Sequence, residues 1–80
     1  MASEIVQFPV VYEDNPQYFN VRRTDTVREL KFLIEGRLQI PPEEQRLMIG
    51  NIVQPDTRPL SGVKSMALVN TGSAPPQIGI

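Results

Sequence analysis

The stretch from Thr26 to Leu47, TVRELKFLIEGRLQIPPEEQRL, decides the fold, because it alone specifies a capped amphipathic helix, a rigid stop and a returning strand. Thr26 stands three residues before Glu29, so hydroxyl and carboxylate can satisfy each other's neighbouring backbone N–H groups in a capping box. The helix is therefore predicted to begin at Val27. Val27, Leu30, Ile34 and Leu38 recur at three- and four-residue spacing, which places them on one face, while Arg28, Glu35 and Arg37 point elsewhere. Pro41 and Pro42 end the helix: each lacks an N–H, and each pushes the residue before it out of the α region. Arg46 to Ile49 then leaves in an extended conformation.

Upstream, Ile5 to Tyr12 reads IVQFPVVY, rich in β-branched and aromatic residues, with Val6, Phe8 and Val10 alternating against Gln7 and Pro9. Pro9 has no N–H for a ladder and needs an outward position or a bulge. Glu13, Asp14, Asn15 and Pro16 form a turn cluster, and Tyr18 to Val21 resumes a strand, which makes a hairpin. Pairing Val6 with Val21 and Phe8 with Phe19 sets Val10 opposite polar Gln17, so a bulge or a slip is expected near the turn.

Downstream, Gly50-Asn51 separates Leu47–Ile49 from Ile52-Val53 in the manner of a type II′ hairpin turn. Pro55, Asp56, Thr57 and Pro59 make an irregular loop, with Leu60 as an anchor before the Ser61-Gly62 turn. Two segments qualify as the closing strand, Met66 to Val69 and, after Pro75-Pro76, Ile78 to Ile80; local propensity does not choose between them. Strand, turn, strand, helix, short strands and a final strand form an α+β order, a mixed sheet wrapped around one main helix, and at this length a β-grasp. The expectation is a single domain over 1–80, with 70–77 as a loop or the start of a linker containing Pro, Gly and Ser.

Composition narrows the function. Eighty residues bury only roughly 60% of their unfolded surface, so the stability margin is thin. There is no cysteine and no histidine, which removes the disulfide framework and the commonest nucleophile, general base and zinc ligands. Eight basic against nine acidic residues give no electrostatic reason to expect nucleic acid or an anionic membrane as partner. No stretch is apolar for long enough to span a bilayer or serve as a signal peptide. Ser3, Ser61, Ser65 and Ser73 have no histidine to activate them, and Glu13-Asp14 and Glu43-Glu44 read as solvated turn carboxylates without calcium-loop spacing. The expectation is a protein with no catalytic residue, cofactor, metal or small-molecule ligand.

Surfaces are more informative than chemistry. With Leu30 and Ile34 facing the core, Phe32 and Leu33 lie about 100° or more around the helix, where they either cover its flank against a loop or face a partner. Tyr18 is expected on the sheet face opposite Phe19 and Val21, on a strand at the sheet edge, where its ring could pack against another chain. Alternation makes Leu47 and Ile49 the inward pair of their strand, which leaves Arg46 and Met48 outward unless Met48 is itself a core residue.

Ile40 to Leu47, IPPEEQRL, closely resembles the ubiquitin segment that follows its helix, and Arg58, Leu60 and Ser61 echo a later ubiquitin segment. Within the ubiquitin-like superfamily the chain most resembles the elongin B family. The shared pattern is Thr26-Val27, Glu29-Leu30-Lys31, Glu35-Gly36, Pro41-Pro42 and Glu44-Gln45-Arg46-Leu47, with Ala74-Pro75 and Ile78-Gly79-Ile80 further on. Gly36 separates the two comparisons, since ubiquitin has no glycine there and a late-helix glycine costs roughly 1 kcal/mol relative to alanine. The resemblance implies a ubiquitin-like β-grasp with Met48 at the position of ubiquitin's central patch isoleucine. It further implies an elongin C-like partner and, through it, BC-box receptors and a cullin in a RING ubiquitin ligase. The same pair belongs to the elongin complex of RNA polymerase II, so a nuclear and cytoplasmic location is expected. An N-terminal ubiquitin-like module engaging proteasome or ubiquitin-pathway receptors is the alternative. The chain departs from the family by stopping where elongin B continues. It departs from ubiquitin in lacking the terminal paired glycines, and Lys31 and Lys64 are its only lysines.

Overall fold

The N-terminal hairpin joins two eight-residue strands, β1 (Ile5–Tyr12) and β2 (Asn15–Arg22), through Glu13-Asp14 alone. Both turn residues have positive φ, +52° and +66°, the signature of a type I′ turn, whose twist suits the flanking strands. The register runs unbroken from Ile5↔Arg22 to Tyr12↔Asn15, with Val10 opposite Gln17, so the expected bulge or slip is absent. The tight turn fixes the pairing, and Gln17 is accommodated because it sits at the half-buried margin of the core. Counting outward from the turn, Pro9 and Pro16 fall at non-hydrogen-bonded pairs, where an N–H would point away from the partner strand. On its other side β1 pairs only from Val10 onward, so Pro9 leaves no ladder bond unmade.

The computed structural model describes residues 4–71. The helix α1 (Val27–Leu38) buries Val27, Leu30 and Ile34, as its spacing requires. At its start the Glu29 carboxylate accepts from both the backbone N–H and the hydroxyl of Thr26, each at 2.6 Å. The helix stops before the prolines act: Gln39 turns left-handed (φ +57°), donates its backbone N–H to the Glu35 carbonyl at 2.9 Å and caps the Gly36 carbonyl with its side chain at 3.1 Å. Pro42–Glu44 forms a short 3₁₀ turn leading into β3 (Gln45–Ile49).

Gly50, at φ +62°, opens the two-residue connection to β4 (Ile52–Val53), and β5 (Met66–Asn70) completes the sheet. Of the two candidates for the closing strand, Met66 to Val69 is the one that closes it; Ile78 to Ile80 lies outside the described residues. The strand order is β2-β1-β5-β3-β4, with β1 and β5 parallel and the other neighbours antiparallel. One sheet face and α1 enclose Phe8, Val10, Phe19, Val21, Leu30, Ile34, Leu47, Leu60, Met66 and Leu68. Gln45 is one of two buried polar residues among those described, with Gln54. Its buried amide donates to the Lys31 and Ile40 carbonyls at 2.9 and 2.8 Å, tying helix to sheet where the chain reverses.

Candidate docking surfaces

The sheet face turned away from α1 carries a cross-strand apolar row. Residues directly paired share a face, so the pairs Val11↔Pro16, Val11↔Ala67, Ala67↔Met48 and Met48↔Val53 run Pro16, Val11, Ala67, Met48 and Val53 in line across all five strands. Val69 lies beside this row, 47% exposed and paired with Arg46, and Tyr18, 53% exposed, stands opposite Pro9. Met48 is half-buried and outward, flanked by its row and not by the core, which resolves its two readings in favour of the surface. The strands contribute Arg22 and Arg46 to this face and no carboxylate. The row is therefore apolar, with Gln7, Asn20 and the two arginines around it, and suits a partner that brings apolar side chains flanked by acidic ones.

The edge of β2 is less open than its position implies. Register places the outward backbone groups of β2 on Pro16, Tyr18, Asn20 and Arg22. Pro16 has no N–H to offer. The Tyr18 carbonyl already accepts from the Arg37 guanidinium at 2.8 Å. Both backbone groups of Arg22 are taken by Asp25, whose carboxylate accepts the Arg22 N–H and whose N–H donates to the Arg22 carbonyl, each at 3.0 Å. A strand adding here would find a continuous donor–acceptor pair only at Asn20, so the contact Tyr18 offers is its ring and not the backbone ladder.

Phe32 and Leu33 are 51% and 42% exposed on the solvent side of α1, and no described loop covers them. The Arg28 guanidinium lies 5.8 Å from the centroid of the Phe32 ring. Gly36 shares this side, and a Cβ there would meet nothing within 4 Å. Packing within the domain gives no reason for its glycine.

The five residues singled out from sequence thus fall on separate surfaces. Tyr18, Arg46 and Met48 share the outer sheet face, with β1 and β5 between Tyr18 and Met48, about three strand spacings or ~14 Å. Phe32 and Leu33 lie across the core on the helix. Val11, Val53, Ala67 and Val69 were not singled out, although strand alternation carries the signal: Val53 faces Met48 across the Gly50-Asn51 turn. The described residues form no pocket and bring no three His, Cys, Asp or Glu side chains together.

No family model and no curated protein matches the sequence. Among solved structures the chain is similar to the N-terminal ubiquitin-like domain in the 4931431F19Rik protein, with a TM-score of 0.80 and 19% identity over 98% of this chain and 86% of that one. It is also similar to ATBAG1, solved in complex with HSP70, with a TM-score of 0.74 and 23% identity over 81% of this chain. That match spans 40% of the ATBAG1 chain, so less than half of that protein is represented here. The fold is a ubiquitin-like β-grasp.

Proposed function

We propose that this ubiquitin-like domain is a non-catalytic docking subunit of the elongin B type, pairing with an elongin C-like chain. Through that chain it would serve BC-box receptors and a cullin–RING ubiquitin ligase, and the transcription elongation complex of the same pair, in nucleus and cytoplasm. The observation that carries the docking role is the apolar row that includes Met48, which crosses every strand on a face to which the strands contribute no carboxylate. The partner is taken from the resemblance of Thr26 to Leu47. There Gly36 is informative, because a fold that leaves open space at this position supplies no reason to keep a residue costing roughly 1 kcal/mol.

A second reading is favoured by Met48 itself. An exposed patch at ubiquitin's central position, on a fold shared with an N-terminal ubiquitin-like domain, also suits a module that binds proteasome or ubiquitin-pathway receptors. Affinity capture on the immobilised chain, scored for elongin C against proteasome subunits, separates the two. Recovery of elongin C supports the adaptor; recovery of proteasome subunits without it replaces the adaptor with the receptor-binding module.

A further inference from the structure

We infer that Lys64 is the side-chain amine through which this domain accepts an acyl group from a thioester, and that Lys31 is withdrawn from that chemistry. The chain has two lysines. The Lys31 side chain is 13% exposed, and its Nζ lies 2.7 Å from Asp56 Oδ1, clamped between α1 and the loop after β4. To react, it must leave this ion pair and turn its stem out of the cleft between helix and loop. Other contacts hold that loop in place: the Arg28 N–H donates to the Asp56 carbonyl at 3.1 Å and the Val27 N–H to the Arg58 carbonyl at 2.9 Å. Opening the cleft for Lys31 therefore disturbs the first turn of the helix.

Lys64 is in the opposite situation. It is exposed and has no ion-pair partner among the described residues. The backbone on both sides is anchored: half-buried Val63 packs on the core and donates its N–H to the Leu60 carbonyl at 3.1 Å, and Met66 is buried at the start of β5. The amine is thus presented on an ordered segment, free to enter an enzyme's active site without local unfolding. In the reaction the neutral amine attacks the thioester carbonyl: the N–C bond forms and the C–S bond breaks. The sulfur leaves with the bonding pair, and the amine's proton passes to the thiolate or to water. The product is an amide on Lys64, an isopeptide when the acyl group is the carboxyl terminus of ubiquitin and an acetyl-lysine when it comes from an acetyl thioester. This inference stands on the two lysine environments and not on the identity of the partner.

The test uses the full chain. A brief pulse of N-hydroxysuccinimidyl acetate, read by peptide mass spectrometry with the α-amine as internal reference, should acetylate Lys64 at least about tenfold faster than Lys31. Asp56→Asn, with its circular dichroism spectrum unchanged, should raise the Lys31 rate severalfold and leave Lys64 as it was. Incubation with a ubiquitin-charged conjugating enzyme should place the isopeptide on Lys64, and an acetyl thioester with an acetyltransferase should place the acetyl group there; Lys64→Arg should remove both. Equal labelling of the two lysines in the folded wild type, or an isopeptide mapped to Lys31, overturns the inference.

Discussion

Arg37 lies across Phe19: its guanidinium carbon sits 4.1 Å from the ring centroid while one of its amino groups donates to the Tyr18 carbonyl at 2.8 Å. One side chain from the last turn of α1 thus roofs a core aromatic and occupies an outward carbonyl of the edge strand. Arg37→Ala removes both contacts and should cost about 1–2 kcal/mol in denaturant unfolding, the sum of a modest cation–π contact and a hydrogen bond from a charged donor. Arg37→Lys, which cannot reproduce the planar stacking, should recover only part of it. A loss below about 0.5 kcal/mol for the alanine variant would show that neither contact contributes.

The β1–β2 turn holds two residues with side chains in left-handed backbone, at about 1 kcal/mol each relative to residues that favour it. Replacing Glu13 with Asn and Asp14 with Gly supplies the preferred type I′ pair, and should raise stability by about 0.5–1.5 kcal/mol with the strand register unchanged. A destabilised double variant would mean that the turn is held by contacts its φ angles do not reveal.

Hydrogen bonds from the Thr26 hydroxyl and backbone N–H hold the Glu29 carboxyl below its ordinary value of 4.5. A carboxylate whose pKa is depressed by folding contributes stability above its unfolded value, and that contribution is lost as pH falls through the folded one. The unfolding midpoint of the wild type should therefore exceed that of Glu29→Gln near neutral pH, and the difference should shrink as titration proceeds below 4.5. A difference that widens on acidification would reverse the sign and refute the assignment.

Phe32 and Leu33 together present apolar surface on a helix side with no cover among the described residues. The isolated domain should show concentration-dependent sedimentation. Phe32→Lys combined with Leu33→Glu should abolish it while shifting the unfolding free energy by no more than about 0.5 kcal/mol. A wild type that stays monomeric at every concentration tested would deny these residues a docking role.

The elements with strong periodicity were legible in the sequence: the helix face of Val27, Leu30 and Ile34, the first strand, the Gly50-Asn51 hairpin and the outward placement of Tyr18 all follow from spacing alone. The hairpin register misled because Val10 opposite Gln17 looks like a mismatch until the half-buried edge of the core is known. Pro41-Pro42 point to the helix stop, whereas Gln39, a residue with no special claim to left-handed backbone, makes the turn first. The closing strand was undecided because choosing Met66 to Val69 depends on non-local pairing with β1 and β3. The apolar row was missed for a related reason: its members come from five strands, and only the sheet order brings them into line. Within Glu44-Gln45-Arg46-Leu47, the structure separates roles that the motif merges, Gln45 and Leu47 serving the core and Arg46 the outer face.

Calorimetric titration of elongin C into the wild type and Tyr18→Ala tests most directly the proposal that the outer sheet face holds an elongin C-like partner. Tyr18 is suited to this because its ring is exposed while its backbone carbonyl is held by Arg37, so its truncation removes surface and little else. The wild type should bind, and Tyr18→Ala should bind more weakly by at least about 1 kcal/mol, roughly fivefold, with the same unfolding midpoint. If Tyr18→Ala binds elongin C as the wild type does, or if the wild type gives no heat while Met48→Ala abolishes binding to a proteasome receptor, the adaptor reading is contradicted.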